Sequence, residues 1–314
     1  MSALAGMKRN IIIDCDPGID DALAIFMALS SKQLNVLGIT TVAGNVNIDL
    51  VTQNALSLVS VAGRRLPVCR GAPGPLLGSR HEGGHVHGKN GVGDVVLPEP
   101  SFGEDARSAA EFIQESAAAY SGNLDLVTIG PLTNIASVLS MYPAVSRHIR
   151  RVIMMGGAAG MGNVTPAAEF NIYADPHAAA AVFQSGIPID MYGLDVTNRA
   201  FITEEEVAAL KATGKTIPTL CCDMLRCYTD FYKSVGYPAL ALHDPFAMAC
   251  VIDENLAERK ECHVAVETRG EITLGKTIVD LLGVTGKSAQ TRVALELNRE
   301  GFISLMSNLL CSYH

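Results

Sequence analysis

"IIIDCDPGIDDA", residues 11–22, decides how this chain is read. Three consecutive isoleucines suit a strand buried on both faces, and four carboxylates, Asp14, Asp16, Asp20 and Asp21, follow within eight residues. Like charges so close repel, and a buried carboxylate is costly unless something compensates it. Asp14 and Asp16 close the strand, Pro17-Gly18 marks a turn, and Asp20-Asp21 open the next helix, whose dipole favours acids at that end. A helix cap with a solvated acidic turn would explain the second pair only. Clustered hard oxygens are what Ca²⁺ or Mg²⁺ requires, so a metal site is expected here.

Outward from this stretch, apolar runs alternate with helical patterns. Strands are expected at 10–13, 35–43, 66–69, 124–130, 151–157 and 187–193, with helices near 20–30, 48–62, 104–120, 132–141 and 175–185. Near-continuous apolar strands separated by such helices predict an α/β fold: a mostly parallel open sheet, helices on both faces, Rossmann-like. The helix at 20–30 is apolar nearly all round and should be deeply packed. Beyond residue 200 two helices are expected in succession, then the helical "DPFAMACVID". Strands near 261–267, 272–279 and 290–296 and a last helix from about 298 complete the chain. No repeat, low-complexity tract or linker interrupts it, so one domain over 1–314 is expected, with a helical excursion at about 203–242. Ligands of open α/β sheets bind outside the carboxyl ends of the strands, which makes the segments after each strand the places to search.

Composition narrows the function classes. The chain has 314 residues, 48% of them hydrophobic, with a net charge of −8 and a mean hydropathy of +0.25. That is ample material for a core, and with no long basic run it speaks against a nucleic-acid partner. The longest apolar stretches, Ala22–Leu29 and Ala178–Phe183, are far short of a membrane span. In "MSALAGMKRN" the basic pair follows the short apolar piece, the reverse of a signal peptide. Eight cysteines without CxxC spacing read as reduced thiols of a cytoplasmic protein.

The polar groups after the other strands share one end of the expected sheet. Asn45 follows the second strand, and "TIGPLTN" (128–134) follows the fourth, with backbone carbonyls free to face a cation. The Gly-rich loop after the fifth offers Asn163, Glu169 and Asn171. "LHDPFAMA" (242–249) places His243 before Asp244, with Asp244 expected as a helix N-cap and Pro245 as the first helical residue. A D-x-D strand end also opens haloacid dehalogenase-type phosphohydrolases, with Asp14 then the nucleophile, although "PGIDD" is not their usual continuation. A non-catalytic nucleoside- or ribose-binding protein is the alternative outside enzymes.

Taken in order, "DCDPGIDDA", "AGN", "HVHG", "GPLTN", "MGG", "AEFN", "HDP" and "LGVTGK" resemble the inosine–uridine nucleoside hydrolases over essentially the whole chain. The resemblance implies Ca²⁺-dependent hydrolysis of the N-glycosidic bond of ribonucleosides, for salvage or catabolism. It implies Asp16, Asp21 and Asp244 as side-chain ligands and the Ile129 carbonyl as a backbone ligand. Asp16 would also take the proton of the attacking water. Asp20, Asn163, Glu169 and Asn171 would grip the ribose, with Asn45 beside them and Asp14 orienting the other acids. It further implies a homo-oligomer, a tetramer in preference to a dimer. The chemistry agrees: cleavage passes through an oxocarbenium-like ribosyl cation, which an anionic pocket stabilises.

Two histidines are candidates for assisting the leaving base. His243 adjoins a metal ligand, and His87 sits in "EGGHVHGKNG" (82–91). His85 and His87 could together hold a transition metal, or both could be ordinary loop histidines. In the resemblance His87 faces the nucleobase in pyrimidine-preferring members. Pyrimidines lack an N7 to protonate, so two donors suit them better than one, and uridine or cytidine is expected to be at least as good a substrate as inosine. Tyr228, Tyr232 and Tyr237 are available to close over the base.

Overall fold

The computed structural model describes residues 8–81, 83–234 and 240–313. Tyr237 and the side chains of His85 and Tyr232 lie outside the described residues. Strands are β1 (Arg9–Cys15), β2 (Leu34–Thr41), β3 (Val68–Arg70), β4 (Leu124–Thr128), β5 (Arg151–Met155), β6 (Ile189–Tyr192), β7 (Phe201–Ile202), β8 (Leu240–Ala241), β9 (Ala257–Val266), β10 (Thr277–Asp280) and β11 (Thr291–Leu297). Helices are α1 (Ile19–Ser30), α2 (Ile48–Val61), α3 (Gly84–His87), α4 (Ala109–Ala119), α5 (Thr133–Met141), α6 (Phe170–Ala174), α7 (Pro176–Phe183), α8 (Leu194–Thr197), α9 (Glu204–Ala212), α10 (Thr216–Ser234), α11 (His243–Ile252) and α12 (Arg299–Leu310).

Nine of the described strands form one sheet in the order β10-β9-β11-β6-β5-β4-β1-β2-β3. From β11 to β3 every pairing is parallel, while β9 runs antiparallel to β11 and β10 to β9. The chain leaves β1 towards β2 and β3, then returns to β4 on the other side of β1. Strand order reverses there, and the crevice outside the carboxyl ends of β1 and β4 is where such sheets bind ligands.

Both sheet faces are covered, as the isoleucine run predicts. Ile11 and Ile13 join the core built with α1, α2, α10, α11 and α12, whereas Ile12 joins the opposite core with α4, α5 and α7. Helix α1 is buried from Ile19 to Leu29, and it packs on α11, α12, α10 and α2. Its start is set by Asp21, whose Oδ2 accepts the Gly18 N–H at 2.9 Å.

Some boundaries shift for local reasons. Helix α4 begins at Ala109, not near 104, because Ser108 and Glu111 form a reciprocal capping box there. The strand expected over 272–279 begins only at Thr277, after a turn in which Gly275 takes φ +77°. Helix α11 begins one residue earlier than expected. Leu242 is its cap and Asp244 lies within the first turn, which leaves the Asp244 carboxylate free of capping duty. Among the described residues no helix is long and apolar enough to cross a membrane.

Candidate active site

Asp14 is the last acid within β1 and is fully buried. Its Oδ1 accepts from Thr40 Oγ1 at 2.5 Å and from Asn134 Nδ2 at 2.7 Å. Burial raises its pKa to about 7 against those two hydrogen bonds. Thr40 and Asn134 thus tie β2 and α5 to the strand end, a support the sequence reading did not single out. Asp16 lies just past the strand. Its Oδ2 accepts the Asn45 N–H at 2.7 Å, and its main-chain oxygen accepts Asn45 Nδ2 at 3.1 Å. Two glycines make room for this carboxylate: a Cβ at Gly44 would lie 2.1 Å from Asp16 Oδ2, and one at Gly130 would lie 2.5 Å from Oδ1.

The acids from distant segments converge. Asp20 and Asp21 come from the first turn of α1 and Asp244 from the first turn of α11, and each offers an oxygen within 4.8 Å of the others. Asp16 stands beside this trio, close enough that its charge raises the pKa of Asp244. Burial first, then Asp20, raises Asp21 to about 8; burial, then Asp21, raises Asp16; burial, then Asp20, Asp21 and Asp16, raises Asp244. Among the described residues no donor reaches Asp16 Oδ1 or Asp21 Oδ1. Buried acceptor oxygens without donors mark a place for a cation. The donor set is all hard oxygen, because burial and then the neighbouring acids hold the Cys15 thiol protonated by pushing its pKa far up. Such a set fits Ca²⁺ or Mg²⁺ rather than zinc. The Ile129 carbonyl, one residue past β4, accepts Asn171 Nδ2 at 3.2 Å.

The expected ribose-side residues divide into two groups. Glu169 and Asn171 are buried. Glu169 caps α6, taking the N–H groups of Gly157 (2.8 Å) and Ile172 (3.2 Å) on Oε2 and that of Asn171 (2.9 Å) on Oε1. Burial nonetheless raises its pKa to about 7. Asn171 is held by the carbonyls of Ile129 and Met155, and buried Asn45 by Asp16 and Asp21. Asn163 is exposed, and its Oδ1 accepts the Phe170 N–H at 3.0 Å, which ties it to its own loop.

Both histidines lie close to Asp20, His87 through Tyr228 and His243 through its charge interaction with that acid. His243 is half-buried, its Nδ1 2.8 Å from Thr197 Oγ1 at the end of α8. Burial lowers its pKa, with Asp20 opposing. His87, at the end of α3, is buried, and its Nδ1 accepts the Ile19 N–H at 3.1 Å. Tyr228 donates its hydroxyl to Asp20 Oδ1 at 2.8 Å and lies 3.5 Å from His87 Nε2. His87 is therefore engaged at the start of α1, while its expected metal partner His85 has a side chain outside the described residues. Gly18 explains the close docking: it has an ordinary φ of −98°, but a Cβ there would lie 2.5 Å from His87 Nδ1.

Comparison with known proteins follows the same lines. Residues 11–304 match the family described as inosine-uridine preferring nucleoside hydrolase. A pyrimidine-specific ribonucleoside hydrolase RihA of Shewanella woodyi is 42% identical over 310 residues, 98% of this chain and 99% of that protein. Its namesake in Citrobacter koseri is 40% identical, with 98% and 99% covered. Among solved structures, a plant nucleoside hydrolase, PpNRh1, superposes with a TM-score of 0.90 at 31% identity, covering 97% of this chain and 99% of that one. A purine-preferring ribonucleoside hydrolase from Gardnerella vaginalis gives 0.90 at 32% identity, with 96% and 99% covered.

Proposed function

This chain belongs to the inosine–uridine preferring nucleoside hydrolases and hydrolyses the N-glycosidic bond of ribonucleosides; we propose that it does so with Ca²⁺ and that it accepts pyrimidine nucleosides. The observation that carries the metal is the convergence of buried Asp20, Asp21 and Asp244 with Asp16 beside them, Asp16 Oδ1 and Asp21 Oδ1 being reached by no donor among the described residues. Asp16, Asp21, Asp244 and the Ile129 carbonyl would hold the ion, with Asp20 shared between it and the ribose. A bound divalent cation lets these acids ionise together and makes water more acidic. Asp16 takes the proton from the water that attacks C1′. Asn45, Asn163, Glu169 and Asn171 hold the ribose, and Asp14 keeps the strand end rigid from behind. The C1′–N bond breaks with its electron pair leaving on the base, while the carboxylates stabilise the cationic sugar.

The pyrimidine preference rests on the base side. Uracil departs as an anion whose charge reaches its carbonyl oxygens, and on this reading His87 and His243 would donate there. The relatives at 40–42% identity carry pyrimidine specificity in their names, whereas a structural neighbour at 32% is named for purines. A phosphohydrolase with Asp14 as nucleophile is set aside by family membership. We further read the protein as a cytoplasmic homo-oligomer, a tetramer in preference to a dimer; no disulfide joins any of the eight cysteines, in keeping with a reducing compartment.

The test is base release from uridine, cytidine and inosine after chelation and after return of Ca²⁺, Mg²⁺ or Zn²⁺. Activity should vanish on chelation and return best with Ca²⁺, with uridine turned over at least as fast as inosine. Activity indifferent to chelation, or restored by Zn²⁺ alone, would refute the metal assignment. Inosine turned over tenfold faster than uridine would refute the base preference.

A further inference from the structure

Three contacts around His87 agree in direction. The Ile19 group at Nδ1 is a backbone N–H, which can only donate, so His87 Nδ1 is an acceptor and carries no proton. A neutral ring then bears its hydrogen on Nε2, the atom 3.5 Å from the Tyr228 hydroxyl. That hydroxyl spends its own hydrogen on Asp20 Oδ1 at 2.8 Å, which leaves the phenol oxygen as the acceptor that Nε2–H needs. Asp20 is secured in turn, its Oδ2 facing the Asp244 N–H at 3.5 Å. The His87 and Tyr228 rings lie 5.2 Å apart, tilted by 59°. The path runs from the end of α3 through α10 to the first turn of α1, and its members are separated by 141 and 208 residues in sequence.

We infer that His87 serves as a neutral Nε2–H donor whose tautomer is set by the Ile19 amide, and that Tyr228 is a positioning residue which aims this donor by bridging it to Asp20. The inference rests on the reading above that His87 assists the leaving base. One carboxylate then has two tasks: Asp20 meets the ribose, and through Tyr228 it fixes the ring that faces the base. The ring need not search for its orientation once the sugar is seated, and donor geometry of this kind acts on the chemical step more than on binding.

Tyr228→Phe removes the hydroxyl and keeps the ring. Two substrates separate the effects: uridine, whose base needs a donor, and p-nitrophenyl riboside, whose phenolate leaves without one but whose sugar is gripped alike. In the Ca²⁺-loaded enzyme the variant should lower kcat for uridine by about tenfold, with KM little changed and a much smaller loss on p-nitrophenyl riboside, through Asp20 alone. Equal losses on both substrates would show that Tyr228 acts through Asp20 and the ribose, and would overturn the inference, as would no loss on either. His87→Ala, assayed in parallel, tests the reading beneath it. Undiminished uridine turnover there overturns that reading, whereas loss there with Tyr228→Phe silent overturns the inference alone. Independently of activity, ¹⁵N spectra of labelled enzyme, assigned by the signal missing from His87→Ala, should show His87 Nδ1 unprotonated and Nε2 protonated. The opposite tautomer overturns the assignment.

Discussion

Glu169 holds two opposed tendencies in one carboxyl group: burial favours the acid, with a pKa of about 7, while three backbone N–H groups favour the anion. Glu169→Gln keeps the shape but removes one acceptor. Whichever way the amide turns, either the Asn171 N–H or the Gly157 and Ile172 pair meets an NH₂ group, at a cost of about 1–3 kcal/mol. The pH dependence should change as well. The folded pKa lies above the ordinary glutamate value of 4.5, so the folded form binds the proton more tightly. This residue's relative contribution is full below about 4.5 and is lost as pH rises through about 7. Urea midpoints across that window should therefore be lower in Glu169→Gln and should fall less with rising pH. A lower midpoint with an unchanged slope would contradict the account. At this scale the acids were legible because charge clusters at strand ends need a reason to exist. Asn134, Thr197 and the role of Tyr228 were not, because each acts on a partner 46 to 208 residues away and carries no local pattern.

At the scale of elements, the two ends of the sheet have different work. The amino ends of β1, β4, β5, β6 and β11 carry an ion network. Asp125 is fully buried and accepts from Arg9 Nη2 at 2.9 Å and Arg150 Nε at 2.7 Å, and Asp190 binds Arg151 and Arg292. Asp125→Ala leaves both of its arginines without that partner. The expected loss is about 3 kcal/mol, at the low end for a broken buried pair, because the Arg9 and Arg150 side chains remain 21% and 36% exposed. Chemical denaturation should record that loss while kcat/KM of the folded variant stays at the wild-type level; a matching fall in kcat/KM would mean that the two ends are coupled. The long elements could be read from sequence since their apolar periodicity runs over several turns or over whole buried strands. Helices α3, α6 and α8 could not: four or five residues complete hardly one turn, and tertiary contacts alone make them helical. The β7–β8 pair, two residues from each strand, was hidden for the same reason.

The whole molecule carries a debt of charge at its centre. Without a cation, raising the pH from about 4 to about 8 forces two buried acids to ionise, Asp14 and Asp21, with pKa values near 7 and 8; burial raises Asp16 and Asp244 as well. All four have folded values above the unfolded one, so the stability they lend at low pH is lost as pH climbs, through this range for Asp14 and Asp21. The proposed Ca²⁺ would compete with those protons and bind the folded form alone, so its stabilisation should grow over the same range. Thermal melts of chelated and Ca²⁺-loaded protein should diverge between pH 5 and pH 8. A gap that stays constant or narrows would mean that these acids do not hold the ion. The convergence that makes the site also sets an order of events in synthesis. Asp20 and Asp244 stand 224 positions apart, and α11 and α12, which cover α1, are among the last elements made. A ribosome adding about 5–20 residues per second leaves α1 without its cover for roughly 10–45 s. A nascent chain therefore has no ion site at all, and capture of the metal can occur only once the protein is nearly complete.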